Sequence, residues 1–219
     1  MQRRQFLAGT TALAGASLAG CLDDIGGSGS AESPDPVDLS GGKFDDQGGM
    51  EIGPHGGANG QLFYEDEVPE DRGEGPFWFH TLVFGLFPHY FDHTDRGWDV
   101  DVVYVTDFST IEYEIQEREG MATMPSPTAP ETFANGADLT YVVESDVMGG
   151  MGPDLHPFSD TDEADGFVDE HGGRTVEFDE IGRELIETLR EGDHAHGGHG
   201  AVEGDEPNDG DGHDHQEGS

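Results

Sequence analysis

The chain has 219 residues, with 48 acidic against 9 basic side chains and a formal net charge of −39. That excess excludes nucleic-acid binding by counterion release and sets the surface against anionic lipid head groups. In ordinary salt it would strain a compact state, but concentrated salt screens it within a few ångströms, so the charge reads as adaptation to a highly saline, halophilic setting.

Residues 1–21 are expected to be an export signal. Met1-Gln2-Arg3-Arg4-Gln5-Phe6-Leu7 is a twin-arginine start, the kind that exports folded proteins. The apolar run that follows is too short to span a membrane, which takes about 20 residues. It ends in Leu18-Ala19-Gly20-Cys21, a lipobox-like sequence that places a lipid anchor on Cys21 at the extracytoplasmic face of the cytoplasmic membrane. An uncleaved anchor helix is the alternative. Cys21 is the only cysteine, so there is neither an internal disulfide nor a Cys-based metal site.

Residues 22–47 are rich in Gly, Ser, Asp and Pro and read as a flexible tether. A first strand–strand–helix–strand unit is expected over 48–110. Its parts are short strands at 50–52 and 60–64, a helix over 77–91 kinked or ended near Pro88, and a strand at 100–105. A connecting segment takes 111–135. The second unit, 136–190, repeats the order: a strand at 139–143 and an extended piece at 154–158, then a helix at 162–170 capped by Ser159 or Asp160. A strand at 175–178 and a closing helix at 181–190 complete it. Residues 191–219 read as a disordered, acidic, His-rich tail. The fold class is α+β, built from two related ββαβ repeats.

Two clusters carry chemistry. One is Met148-Gly149-Gly150-Met151-Gly152-Pro153 followed by His156; the other is Gly48-Gly49-Met50 followed by His55. Each sets thioether sulfur and imidazole on pliable glycine backbone, a donor set that favours soft metals and Cu(I) above all. Thioethers need no deprotonation and cannot be lost to a disulfide, which suits an oxidising exterior. The alternative is that Met148 and Met151 are gap-fillers packing a loop. His194, His196, His199, His213 and His215 in the tail are an auxiliary site for Cu(II), Ni(II) or Zn(II), or solvated bystanders. His80, His89 and His93, in the aromatic run, read as core or helix-end histidines. No Walker loop, nucleophile elbow, HExxH or Rossmann glycine signature is present, so no enzyme is expected.

Tyr141-Val142-Val143-Glu144-Ser145 and Met151-Gly152-Pro153-Asp154-Leu155-His156-Pro157-Phe158 resemble the second half of the NosL family of nitrous oxide reductase accessory lipoproteins. Ala164, Phe167 and His171-Gly172-Gly173 continue the likeness. Val105-Thr106-Asp107-Phe108, together with Gly49-Met50 and His55-Gly56-Gly57-Ala58-Asn59-Gly60-Gln61, is similar to the first half. The resemblance implies two ββαβ domains and a non-catalytic copper chaperone. Its role would be to deliver Cu(I) for assembly of nitrous oxide reductase in denitrification, with the reductase or its assembly factors as partners. Carried over, it implies Met151 as the first ligand and Met50 as a second. Many members have a Cys where this chain has Gly48, so ligation would fall to Met and His, with Met148 as an addition. The rival is a lipoprotein interaction module that docks a partner enzyme, metal being incidental.

Overall fold

A computed structural model describes residues 33–118 and 120–196. Cys21 and the signal, and His199, His213 and His215 of the tail, lie outside these residues. No helix among the described residues is long and apolar enough to cross a membrane.

The first repeat is built on β1 (Gly60–Tyr64), flanked by antiparallel β2 (Phe77–Phe79) on one edge and β3 (Val100–Thr106) on the other. The second repeat has the same plan: β7 (Thr140–Val143) sits between β8 (His156–Phe158) and β9 (Arg174–Glu177), again antiparallel. In both, the helix follows the second strand and leads to the third. Between the repeats, β4 (Gln116–Arg118) and β5 (Met121–Thr123) form a hairpin, and β6 (Phe133–Asn135) joins the outer edge of β3. The fold is therefore the expected pair of ββαβ units.

Three local expectations are corrected. Residues 50–52 do not form a strand: Gly49 and Gly53 on either side both have positive φ, and Glu51 makes only an isolated bridge to Phe44. The second strand of the first repeat is instead Phe77–Phe79, inside the run expected to be wholly helical. Thr81 then starts the helix, its hydroxyl accepting the Phe84 N–H. A wide π turn over Leu82–Leu86 passes into α1 (Phe87–Thr94), with Pro88 in the first α turn, where its missing N–H does least harm. Nor does the N-terminal stretch behave as a tether throughout. Gln61 bonds both the N–H and the carbonyl of Val37 at 2.8 Å, and Leu39 is fully buried against Ile52 and Phe133.

One core serves both repeats. Leu62, Val103 and Val105 of the first pack with Tyr141, Val143, Phe158 and Val176 of the second, and with Ile186 and Leu189 of α3 (Arg183–His196). Strand alternation explains the smaller cluster on the other face of the first sheet, where Trp78 and Tyr104 join Leu39, Ile52 and Phe133. In α2 (Thr161–His171), Asp160 is the cap, accepting from Asp162 and Glu163, while Ala164 and Phe167 face the core. The backbone of α3 continues past Arg190 as far as His196, into the stretch expected to be tail.

Two core histidines set an acid limit. His89 stacks on His93 at 3.8 Å among Phe77, Phe79 and Tyr64, and burial, aided by His93, pushes it down to about 4. His156 is pushed down to about 4 by burial, against the help of its bond to the Val147 carbonyl. Unfolding exposes both to water, where they take a proton below their ordinary value of about 6.5, so their contribution is lost as pH falls from there towards 4. Chemical denaturation of wild type and His89→Phe at pH 7 and pH 4.5 should show the variant gaining roughly 2 kcal/mol on wild type at the lower pH. An unchanged difference would mean that His89 is protonated in the folded state.

Candidate metal centre

Three segments far apart in sequence converge at one edge of the fold. Residues 148–153 form a tight loop, closed by the Gly149 N–H on the Gly152 carbonyl at 2.8 Å. Just before it, His156 Nε2 bonds the Val147 carbonyl at 2.9 Å; just after it, Asp154 is buried. The hairpin runs alongside: the Met148 N–H donates to Ala122 at 2.8 Å and the Met124 N–H to Met148 at 3.1 Å. The third segment, 55–57, is joined by the Gly57 N–H on the Met124 carbonyl at 2.9 Å.

The join between 55–57 and 149–150 is backbone on backbone. A Cβ at Gly57, whose φ is +84°, would lie 2.8 Å from Gly149 Cα and 2.9 Å from Gly150 N; one at Gly150 would lie 2.8 Å from the Gly56 carbonyl. Glycine is what lets the two loops touch.

The resulting groove, of about 360 Å³, is lined by His55, Arg118, Met121, Thr123, Met148 and the turn from Gly149 to Pro153. Three methionines thus share one cavity. Met121 is 44% and Met151 41% exposed, while Met148 is half-buried. No Asp or Glu lines it, in a chain that carries 48 of them. Hard cations, which favour carboxylate oxygen, find no carboxylate there, whereas a soft ion finds three thioethers and an imidazole. Among the described residues no three His, Cys, Asp or Glu side chains group so as to hold a metal ion, so an ion in the groove itself would lean on the thioethers. Arg118, the cation of the groove wall, is held by the Pro54 carbonyl and by Gln116 Oε1.

The structure brings Met148, Met151 and His55 of the expected ligand set together. It does not bring in Met50 or His156. Met50 lies in the loop after Asp45, its carbonyl accepting the Asp45 N–H at 2.8 Å, and is not part of the groove wall. His156 is fully buried beside Phe108 and Phe167, one nitrogen engaged by Val147, and serves to pin the base of the methionine loop. Met121 was missed by sequence reasoning because it falls in the segment taken as a connector. The Gly120 that turns the hairpin was the available signal.

Asp154 couples the loop to the first repeat. Its carboxylate, wholly buried, accepts from Thr81 Oγ1 at 2.8 Å and from the N–H groups of Leu82, Val83 and Leu155 at 3.2, 3.0 and 3.0 Å. Burial pushes it up to about 6 despite these bonds. The methionine loop is therefore anchored on the opening turn of the first helix.

A sequence profile of the NosL family matches residues 36–186. The crystal structure of the copper chaperone NosL from Shewanella denitrificans is similar at 22% identity and a TM-score of 0.52, covering 68% of this chain and 96% of that one. The solution NMR structure of apo-NosL from Achromobacter cycloclastes covers 58% of this chain and 87% of its own, at 23% identity and a TM-score of 0.36. No curated protein sequence matches the chain. The profile spans well over half of the sequence, and the chain belongs to the NosL family.

Proposed function

We propose that this protein is a non-catalytic copper carrier, tethered by Cys21 outside the cytoplasmic membrane, that delivers Cu(I) for the maturation of nitrous oxide reductase. The observation that carries the copper assignment is the composition of the groove: Met121, Met148, Met151 and His55, with no carboxylate. The similar Shewanella protein is a copper chaperone, which supports the same reading. The tether rests on the twin-arginine start and the lipobox, and the saline setting on the charge of −39.

The geometry suits a carrier. Thioethers are neutral donors, so a bound Cu(I) keeps its charge and is held loosely enough to be passed on. Met121 and Met151 stand at the surface, where an acceptor's donor atom can reach the metal before the groove has released it. Met148 and His55, more enclosed, keep hold of the ion during that exchange. The tail histidines remain a candidate auxiliary site, with His194 and His196 on the last turns of the α3 backbone.

Competition against a Cu(I)-specific chelator measures the site. Replacing Met148 and Met151 together by Ala should weaken binding by at least roughly 100-fold, and Met151→Ala alone by at least roughly 10-fold. Wild-type affinity in the double variant would show that the metal is held elsewhere. Capture of the reductase by metal-free protein as well as by loaded protein would favour the docking-module alternative.

A further inference from the structure

Behind the groove lies an imidazole that the expected ligand set did not include. His80, 2% exposed, directly follows β2. Its Nδ1 lies 2.8 Å from Asp45 Oδ2, which also accepts the His80 backbone N–H at 2.8 Å. The other Asp45 oxygen takes the N–H groups of Gln47 and Gly48 at 2.7 and 2.6 Å. Asp45 already accepts from three main-chain N–H groups and faces the ring as an acceptor too, so Nδ1 donates to it, and in the neutral ring Nε2 keeps its lone pair. That Nε2 is buried and has no partner.

An unpartnered buried nitrogen is uncommon, and a carboxylate behind the opposite ring nitrogen is the arrangement that orients metal-binding histidines. The ring next to His80 is His55, which lines the methionine groove, with centroids 6.1 Å apart and planes at 72°. A metal bound linearly to one nitrogen of each ring at about 2.0 Å, with each nitrogen roughly 1.1 Å from its ring centre, separates the centres by roughly 6.2 Å. Two other buried histidines also have an idle nitrogen, but His89 is stacked face to face on His93, and His156 is enclosed by Phe108 and Phe167. Neither has a groove-lining ring as neighbour. Asp45 comes this close because Gly85 has no side chain: a Cβ there would lie 3.0 Å from Asp45 Oδ2.

We propose that His55 and His80 form an inner, two-nitrogen Cu(I) position behind the methionine groove, with Asp45 orienting His80. Cu(I) accepts two-coordinate linear binding, whereas Zn(II) requires about four ligands and is not satisfied by this pair. The groove would take up and release the ion at its thioethers, and the imidazole pair would hold it between those events. The inference rests on the copper reading of the groove.

The test uses the full-length protein loaded with Cu(I), with X-ray absorption at the copper edge and chelator competition. The tail histidines are common to every sample and cancel in the comparison. His80→Asn keeps an N–H where Nδ1 stood, so the bond to Asp45 and the fold, followed by circular dichroism, should persist. The expected result is a short copper–nitrogen shell reduced by one nitrogen and at least roughly tenfold weaker binding in His80→Asn and in His55→Asn. An unchanged nitrogen shell and affinity in a folded His80→Asn, with Met148→Ala/Met151→Ala impaired, overturns the inner position and leaves the groove standing. The reverse pattern supports the imidazole pair and removes the groove. No Cu(I) uptake by wild type overturns both.

Discussion

Asp154→Ala is expected to lower the stability of the folded protein by about 3–5 kcal/mol. The carboxylate accepts four hydrogen bonds in a fully buried position, three of them from main-chain N–H groups that have no solvent to turn to. Removing it strands Leu82, Val83 and Leu155, each at about 1–3 kcal/mol, less whatever the loop recovers by relaxing. Total stabilities of small domains are about 5–15 kcal/mol, so this one truncation takes a large share. Asp154→Asn should be much milder. Its amide oxygen still accepts, and the Thr81 hydroxyl can reverse and accept from the new NH₂.

The pH dependence separates this effect from a simple cavity. The folded carboxyl titrates near 6 against 3.8 ordinarily, so its contribution is greatest below 3.8 and is lost as pH rises through 6. That sense is opposite to the acid limit set by His89 and His156. Equilibrium denaturation of Asp154→Asn should therefore show wild type losing roughly 2–3 kcal/mol relative to the variant between pH 4 and 7. A cost under 1 kcal/mol for Asp154→Ala would mean that the carboxylate does not anchor the loop.

The second large effect is expected at Gly57→Ala. Here φ is +84°, which any side chain resists by about 1–2 kcal/mol, and the new Cβ meets main-chain atoms of Gly149 and Gly150 at 2.8 and 2.9 Å. Backbone cannot rotate aside as a side chain can, so the two loops must part, for a total of about 2–4 kcal/mol. Because His55 moves with the loop, Cu(I) affinity should fall together with stability. Gly166→Ala is the matched control. In α2 a Cβ there touches nothing within 4 Å, and alanine should stabilise by roughly 0.5–1 kcal/mol without affecting metal. Melting curves and Cu(I) titrations of the pair decide it; Gly57→Ala indistinguishable from Gly166→Ala would refute the contact.

The second repeat was legible because its signals are local. Asp160 caps α2, Gly172 ends it, and β7 and β8 are short runs bounded by polar residues. The first repeat was less so. Phe77–Phe79 merges with the helix behind it into one apolar stretch, since a strand buried on both faces and a buried helix both read as continuous hydrophobicity. Met50 to Ile52 looked extended only because β-branching and alternation say nothing about the positive-φ glycines that fold the segment back. At the site, composition alone identified the soft donors, and local spacing suggested Met148, Met151 and His55. Which of them would meet depended on pairings that no local pattern encodes. The parallel bridge from Thr123 to Met148 brought in Met121, and the Asp45–His80 bond produced the idle nitrogen.

The seam of glycines has a kinetic meaning as well as a steric one. None of the three segments that wall the groove makes a cavity by itself, and the last of them, 148–153, belongs to the second repeat. Closing contacts between segments so remote in the chain is among the slower events of folding. A half-synthesised or half-folded chain therefore carries its methionines as isolated surface residues, unable to compete for a metal. Possession of the groove certifies a finished molecule, so on the proposed function a cargo that depends on several sulfurs at once would be taken on only after the last loop has docked.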